Sequence, residues 1–441
     1  MSSVANLAAG KRAALILRGE LGADKVILPD DAHPDLGKYG TDFYFIAQSS
    51  QIIPACRIVR EVGATFAVKS GGHCSYASGI NAEDGITIDL SRLKDITVSD
   101  DRKSVAVGAG CRFGEVYNKL EAHGLGCVGG RISSVGVSGL IMGGGISFFS
   151  SERGLACDNV ISYELVLANG KVLNVTKESQ SDLFWGMRGA GITFGIVTRL
   201  ELKPFDLGEI WGGNNPFAEA FLIYSDEAKN GNGVYVVVMS HSNPQSETLA
   251  FDDFKRFTPL FSSNQKRTLK NFCDEMDSQN ESGFRFRTTS MSVKCHLPTL
   301  KEIAAIHDES VALLKDYDGF VPTLLYQPLL KAMLPKDDVG NALGIKPEDT
   351  PLLGIPEMIS QVVDQFVEKV EKATRAHGTF HRYQYLNYAA GHQDVYGGYG
   401  EKNKKRLLEI SSKYDPDGLM PKLRPGIIQL SGSKKAYGIS V

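Results

Sequence analysis

Two segments rich in glycine and serine are the parts of the sequence best suited to bind a ligand through the backbone. The first is VKSGGHCSYASG at 68–79, and the second is SSVGVSGLIMGGG at 133–145. Because such small residues let successive N–H groups point into one concavity, segments of this kind bind anions, including diphosphate. The spacing matches neither the GxxxxGK(S/T) phosphate loop nor the GxGxxG dinucleotide fingerprint. The two loops therefore predict a site, called the diphosphate clasp below, that binds a diphosphate between them through backbone N–H groups. This site needs neither helix dipoles nor basic side chains.

His73 ends the run Ser70-Gly71-Gly72 in the first loop. A single histidine is more often a solvated or hydrogen-bonded structural residue. In this loop a neutral imidazole could instead act as a nucleophile toward an electrophilic carbon held beside it. The residues alone leave both interpretations open.

The surrounding pattern predicts the elements that position these loops. Apolar periodicity and turn residues predict helices over 52–62, 111–124 and 181–191, strands over 65–70, 85–93, 104–110 and 195–205, and a hairpin over 160–176. The hairpin turn at Asn169-Gly170 is typical of type I′. Ser181 or Asp182 is expected to cap the helix that follows the hairpin.

The composition changes after residue 205, where the pattern predicts a second unit. We expect a loop over 208–216, strands over 221–225, 233–242, 282–296 and 381–390, and helices over 251–256, 299–315, 358–378 and 403–416. The segment from about 206 to 380 looks inserted between two parts of one binding unit.

Composition excludes several classes of protein. The chain has 441 residues, 42% hydrophobic and 22% charged, and a net charge of −3, so it presents no global field for nucleic acid or anionic membrane. No apolar stretch approaches the roughly 20 residues of a membrane span, and Lys11, Arg12 and Arg18 interrupt the N-terminal apolar run. The seven cysteines show neither CxxC nor zinc spacing. We therefore expect no metal site, no signal peptide, reduced thiols and a cytoplasmic location.

The segment from Ala67 to Phe205 resembles the FAD-linked oxidoreductases of the vanillyl-alcohol-oxidase superfamily, in particular the berberine-bridge-enzyme-like branch. The matching stretches, in the family's order, are VKSGGHCSYASG, GITIDLSRL, VAVGAGCRFGEVY, GVSGLIMGGG, ERGLACDNV, VLANGKVLNV, DLFWGMRGAG and FGIVTRLEL, with YLNYAAG and RLLEISSKYDPDGL near the C-terminus. The resemblance implies an α+β fold, with a two-part PCMH-type FAD-binding domain and a substrate domain built on an antiparallel sheet covered by helices. It divides the chain into 1–205 (FAD-binding), 206–390 (substrate) and 391–441 (a C-terminal segment that returns to the FAD-binding domain).

The resemblance also implies which residues bind FAD, and His73 matches the histidine that forms an 8α-N1-histidyl bond to it. The other matching positions are Ser70, Gly71, Gly72 and Cys74 in the first loop, Ser134, Val135, Gly136, Gly139, Gly143, Gly144 and Ser147 in the second, Gly195, Ile196 and Val197 beside the adenine, and Asn387 and Asn403. Many relatives carry a second link from a cysteine of the second loop. Ile132 occupies that place and Cys127 comes too early, so a single covalent attachment is predicted.

The activity implied by the resemblance is oxidation of a small secondary-metabolite substrate. A hydride passes to flavin N5, and dioxygen then takes the electrons. A base must reach the acidic hydrogen from about 3 Å. Tyr385 and Tyr383 are the candidates, because alternation in the predicted strand places them on the same face as Asn387. A flavin dehydrogenase, a redox-neutral cyclase and a binding protein on a degenerate fold are the alternatives. We expect a monomer or weak homodimer with no nucleic-acid or membrane partner.

Overall fold

The computed structural model describes residues 3–28, 31, 43–46, 49–74, 79–211, 219–226, 233–241, 249–254, 256–279, 288–313, 322–357 and 362–432. The strands of the first half are β1 (Val26–Ile27), β2 (Phe43–Ile46), β3 (Phe66–Lys69), β4 (Ile86–Asp89), β5 (Ile96–Val98), β6 (Val105–Gly108), β7 (Leu125–Cys127), β8 (Val160–Val166), β9 (Val172–Thr176), β10 (Ile196–Leu202) and β11 (Pro204–Asp206). Its helices are α1 (Ser3–Leu21), α2 (Ser49–Val62), α3 (Phe113–Glu121), α4 (Val137–Met142), α5 (Ser150–Arg153) and α6 (Ser181–Met187), with a 3₁₀ turn at Ala156–Asn159.

These strands form two main sheets. The first has the order β1-β2-β4-β3, in which β2, β3 and β4 run parallel and β1 is antiparallel to β2. The second has the order β5-β6-β10-β8-β9 and is antiparallel throughout. One large core buries the apolar side chains of both sheets together with those of α1, α2 and α3. β7 pairs with β11 beside them.

The second half is built on strands β12 (Ile210–Trp211), β13 (Glu219–Asp226), β14 (Gly233–Ser240), β15 (Lys266–Arg267), β16 (Thr289–Lys294), β17 (Thr323–Leu329), β18 (Leu352–Glu357) and β19 (Phe380–His381). Its helices are α7 (Leu269–Ser278), α8 (Leu297–Ala312), α9 (Val362–Ala376), α10 (Val395–Gly398), α11 (Glu401–Tyr414) and α12 (Leu419–Leu423). Short 3₁₀ turns occur at Leu249–Phe254, Lys331–Met333, Pro347–Asp349 and Leu386–Tyr388.

A six-stranded antiparallel sheet of order β14-β13-β17-β18-β16-β19 organises this half. A separate core joins its strands to α8 and α9, with Leu324, Ile303 and Phe366 buried in it. Because alternate side chains of a strand point to opposite faces, Gln327 on β17 points away from these helices. The predicted α+β fold with a helix-covered antiparallel sheet is therefore confirmed. The face without helices, on which Gln327 is buried, is the one turned toward the glycine-rich loops.

Most predicted elements are present with shifted ends, but one turn type, one helix cap and one strand are wrong. Helix α6 begins after Gln180, which has a φ of 56°, and neither Ser181 nor Asp182 caps it. The predicted helix over 358–378 is α9, residues 358–361 lying outside the described residues, and the predicted loop at 208–216 contains β12 in its described part. The predicted hairpin is β8 and β9, but Gly170 has a φ of +84° whereas Asn169 does not enter the left-handed region. The N–H of Gly170 donates to the carbonyl of Leu167. This is a type I turn closed by a left-handed glycine, not a type I′ turn.

The predicted strand over 381–390 is wrong for most of its length. Pairing of β19 with β16 stops after His381 opposite Ser292. Continuing that register would place Tyr383 opposite Ser290, but the side-chain amide of Gln393 already forms hydrogen bonds with the backbone N–H and carbonyl of Ser290. It accepts from the Ser290 N–H at 2.9 Å and donates to its carbonyl at 2.9 Å. With no free partner, the chain leaves the sheet and forms the 3₁₀ turn Leu386–Tyr388.

The C-terminal helices contact residues of the first half. On α11, Lys413 Nζ lies 2.6 Å from Asp182 and the Tyr414 hydroxyl donates to the same carboxylate at 2.9 Å. Arg424 donates to the carbonyl of Ile192 at 2.9 Å. The domain boundaries at 205 and 390 stay predictions. Among the described residues, no helix has both the length and the apolar character to cross a membrane.

Candidate active site

The first glycine-rich loop begins where β3 ends. Lys69, the last residue of β3, forms a buried ion pair of 3.1 Å with Asp89 on the neighbouring β4. Ser70 then donates its hydroxyl to the carbonyl of Ala109 at 2.6 Å. These contacts fix the point at which the loop leaves the parallel sheet.

The second loop meets the first backbone to backbone. A Cβ on Gly136 would lie 2.5 Å from Gly71 N and 2.7 Å from Gly71 Cα, so both positions exclude any side chain. Gly72 has a φ of +83°, which an L-residue rarely adopts. Within the described part of the chain, the N–H groups of Gly71, Gly72 and His73 make no hydrogen bond. The two loops thus form a pair with unused donors, as a diphosphate clasp requires.

The second loop continues into α4. Ser138 donates to the carbonyl of Ala109 at 3.3 Å, the same acceptor that Ser70 uses, so the two loops share an anchor. Gly139 lies on α4, and no atom of the described residues is within 4 Å of an added Cβ. Val135 accepts from the N–H of Phe113 at 3.0 Å and packs against the core. Open space therefore begins directly above the backbone of α4.

His73 lies exposed at the junction of the loops. Its Nε2 is 2.7 Å from the Ser134 hydroxyl oxygen, and that hydroxyl donates to the carboxylate of Asp277 on α7. Partial burial of the ring lowers the pKa of His73, the nearby Asp277 opposes this, and Arg112 adds to it. The imidazole is therefore held neutral near physiological pH.

Three further predicted residues meet around Tyr385. Asn387 donates from Nδ2 to the Tyr385 hydroxyl at 2.9 Å and to the carbonyl of Leu140 at 3.0 Å. The N–H of Ile146 also donates to the Tyr385 hydroxyl at 3.0 Å. Gly143 is in contact with the Asn387 amide, which leaves no room for a side chain there, and Gly144 has a φ of +109°. The structure thus brings the end of α4 together with the segment after β19.

Tyr383 and Tyr385 have different surroundings although both are buried. Tyr383 stacks on Tyr399 with ring centroids 6.1 Å apart, and its hydroxyl makes no hydrogen bond to a described residue. Burial raises the pKa of Tyr383 far above the usual value. It also raises the pKa of Tyr385, where Asn387 and the N–H of Ile146 act in the opposite direction.

The remaining predicted residues, except Cys74, lie outside the loop junction. Gly195, Ile196 and Val197 are buried at the start of β10, where a Cβ on Gly195 would meet the carbonyl of Val166 at 2.5 Å. Ser147 accepts from the N–H of Gly129 at 3.2 Å, beneath the second loop. Asn403 on α11 donates to the carbonyl of Ala342 at 3.1 Å. Cys74 is half-buried beside His73.

The charged residues that surround the loops were not predicted from the sequence. Arg112 donates to the carbonyl of Gly71 at 3.2 Å, so the clasp is not free of basic side chains as predicted. Arg131 donates to Gln327 Oε1 at 2.6 Å and to the Tyr388 hydroxyl at 3.0 Å, which ties the second loop to the face of the large sheet without helices. Arg131 directly precedes Ile132, the position singled out in the sequence, and could have been noticed there.

Helix α7 packs against the second loop and the residues just before it. Ser133 donates to Asp274 at 2.6 Å, and the thiol of Cys273 lies 3.7 Å from the carbonyl of Gly130. No local pattern in α7 predicts that it packs on this loop. The contact between Asp277 and Ser134, for example, joins residues 143 positions apart.

The described residues fit FAD better than a metal ion. Unused N–H groups at Gly71 and Gly72 suit a diphosphate, and the open space above Gly139 lets a flat group approach the backbone closely. No group of three or more His, Cys, Asp or Glu within the described ranges has a metal-binding arrangement.

Comparison with known proteins agrees with this geometry. Residues 43–176 match the family model of the FAD binding domain. The FAD-dependent monooxygenase FUP4 of Fusarium proliferatum is 31% identical over 445 residues, covering 87% of this chain and 86% of that protein.

Two solved structures share the fold. One is 6-hydroxy-D-nicotine oxidase from Arthrobacter nicotinovorans, with a TM-score of 0.70, 19% identity, and coverage of 92% of this chain and 97% of that one. The other is a berberine bridge enzyme variant described as a reticuline dehydrogenase, with a TM-score of 0.72, 15% identity, and coverage of 92% and 97%. The chain therefore belongs to the family of FAD-linked oxidoreductases that includes FUP4, and its fold is similar to those of 6-hydroxy-D-nicotine oxidase and berberine bridge enzyme.

Proposed function

We propose that this FAD-dependent oxidoreductase is an oxidase of secondary metabolism whose FAD is attached covalently to His73. The observation that carries the attachment is the position of His73 at the junction of the two loops, with Nε2 engaged by Ser134 at 2.7 Å. The other ring nitrogen, Nδ1, makes no hydrogen bond within the described part of the chain. A neutral imidazole with one free nitrogen is the form that attacks carbon.

The attachment to His73 is single. Ile132 stands where a second, cysteine link would form. Cys273 on α7 lies beside this part of the loop, where its thiol donates to the carbonyl of Gly130. Burial raises the pKa of Cys273 well above its usual value, so the thiol stays protonated and is a poor nucleophile.

FAD supplies the redox chemistry, accepting a hydride from a substrate carbon and passing two electrons to dioxygen. The protein orients the substrate and accepts its proton. Tyr385 is the better of the two candidate bases, because Asn387 and the N–H of Ile146 both donate to its oxygen and partly offset the burial that raises its pKa. Tyr383 has no such donors among the described residues.

Tyr385→Phe and Tyr383→Phe form a matched pair for testing this assignment. Tyr385→Phe should lower kcat about 10²-fold or more with little change in KM, because the loss falls on proton transfer. Tyr383→Phe removes a hydroxyl without a described partner and should leave kcat unchanged. Equal kcat values for Tyr385→Phe and the wild type would remove Tyr385 from the mechanism.

Covalent attachment is tested by acid precipitation of the purified protein. The yellow colour should remain with the wild-type protein and pass into the supernatant for His73→Ala, which should still bind FAD through the loops. A wild type that releases all of its flavin in acid would refute the covalent link, and a wild type purified without FAD under all conditions would refute the cofactor assignment itself.

A monooxygenase is the second candidate, favoured by the name of the Fusarium proliferatum relative. An oxidase returns dioxygen as hydrogen peroxide in a one-to-one ratio with product, whereas a monooxygenase places one oxygen atom in the product. Reduction of the bound flavin with dithionite, followed by air, tests the oxygen reaction without a known substrate. Reoxidation within seconds with stoichiometric peroxide supports the oxidase. Slow reoxidation favours a dehydrogenase, and ¹⁸O in the product of turnover under ¹⁸O₂ identifies a monooxygenase.

A further inference from the structure

His73, Ser134 and Asp277 form a continuous hydrogen-bonded chain. The Ser134 hydroxyl donates its only hydrogen to the Asp277 carboxylate, so its oxygen accepts from His73 Nε2 at 2.7 Å. The imidazole therefore carries its proton on Nε2, and the lone pair is on Nδ1. The network selects the tautomer whose free nitrogen points away from Ser134.

We propose that Ser134 and Asp277 are positioning residues for covalent flavin attachment, which hold His73 as the Nε2–H tautomer and receive that proton as Nδ1 becomes bonded to carbon. This inference rests on the proposed covalent link. In the overall reaction an Nδ1–C bond forms and one C–H bond of the 8α-methyl group breaks. Dioxygen takes up the two electrons, and it leaves as hydrogen peroxide with the methyl proton and the Nε2 proton.

The final proton acceptor, Asp277, comes from the second half of the molecule, whereas His73 and Ser134 belong to the first half. Asp277 lies in the last turn of α7. Thr268, the residue before α7, caps its N-terminus by accepting from the N–H of Asn271 at 3.3 Å. Contacts of Asp274 with Ser133 and of Cys273 with Gly130 hold α7 on the second loop. Attachment therefore requires both halves to be folded and docked.

The chain contains its own control for this proposal. Asp274 and Ser133 form a second serine–aspartate pair between the same helix and the same loop, at 2.6 Å, without contact to His73. Replacing either pair removes one bond between α7 and the loop. Only the Asp277 pair is joined to the imidazole, so a merely structural role would make the two replacements equivalent.

The experiment measures the rate of covalent attachment rather than enzyme activity. Full-length protein produced in a riboflavin-starved host is mixed with saturating FAD, and acid-stable flavin fluorescence is followed on denaturing gels. Asp277→Asn and Ser134→Ala should slow attachment by at least about 10-fold, because the proton acceptor or its connection is lost. Ser134→Thr keeps the hydroxyl and should restore the rate. Asp274→Asn and Ser133→Ala should stay within about 2-fold of the wild type.

Flavin attachment in Asp277→Asn at the wild-type rate would overturn the proposed proton transfer from His73 through Ser134 to Asp277. So would a loss of rate in Asp274→Asn as large as that in Asp277→Asn. A wild type that binds FAD but never attaches it overturns this proton transfer together with the covalent link and leaves the FAD-dependent oxidoreductase intact. Failure of an attached wild type to reoxidise in air concerns the oxidase proposal alone.

Discussion

The contact between the two glycine-rich loops makes Gly136→Ala the most informative substitution. Gly136 has φ −70° and ψ 138°, a conformation that alanine adopts without strain. The added Cβ would nevertheless lie 2.5 Å from Gly71 N and 2.7 Å from Gly71 Cα, whereas ordinary contact begins near 3.4 Å. The obstacle is backbone and cannot rotate away, so the loops must part by about 1 Å.

The expected cost follows from this overlap. Overpacking of a well-packed contact costs about 1–3 kcal/mol. If the loops bind the diphosphate only when closed, the same free energy is lost from binding, and the dissociation constant of FAD rises about 5- to 150-fold. Covalently held flavin does not dissociate, so the titration is carried out in the His73→Ala background and followed by quenching of flavin fluorescence.

Gly139→Ala is the matched control on the same segment. It lies inside α4, where the part of the chain that the structure describes has no atom within 4 Å of the added Cβ. Helix propensity predicts that the FAD-free protein gains about 0.5–1 kcal/mol of stability. If FAD passes over α4, Gly139→Ala weakens FAD binding without destabilising the fold, whereas Gly136→Ala does both. Unchanged FAD affinity and an unchanged unfolding midpoint for Gly136→Ala would show that the loop contact is not required.

Two further predictions concern buried groups. Arg188→Met leaves Asp158 buried without its partner at 2.8 Å and should cost about 3–5 kcal/mol in urea unfolding followed by tryptophan fluorescence. Lys177→Met breaks an exposed ion pair and should barely move the unfolding midpoint. Burial raises the pKa of Asp158, so the folded state holds this proton more tightly than the unfolded chain, and the Arg188→Met protein should lose further stability as pH rises above about 4. Iodoacetamide at pH 8 should modify exposed Cys295 and spare Cys127, whose pKa burial raises to about 12, until the chain unfolds; peptide mass spectrometry distinguishes the two.

Much of the fold was predictable because its signals are local. Strand alternation and glycine turns identified the hairpin of β8 and β9, and apolar spacing identified α3 and α9. The errors arose where a distant side chain replaced a local partner. The strand predicted over 381–390 ends early because the amide of Gln393 occupies Ser290, 103 positions away. No periodicity within the strand encodes that competition.

By itself, the sequence determined the two backbone loops, and the family resemblance that its motifs carry implied the FAD and the helix-covered antiparallel sheet. Loop composition and strand pattern depend on neighbouring residues, which is why these features could be inferred from short motifs. Only the tertiary structure decided which groups surround His73. Arg112 and Asp277 reach it from different elements, and Asp277 is 143 positions from the serine it binds. The tautomer of His73 and the proton path from it depend on that long-range contact, so they follow from the packing of α7 on the second loop.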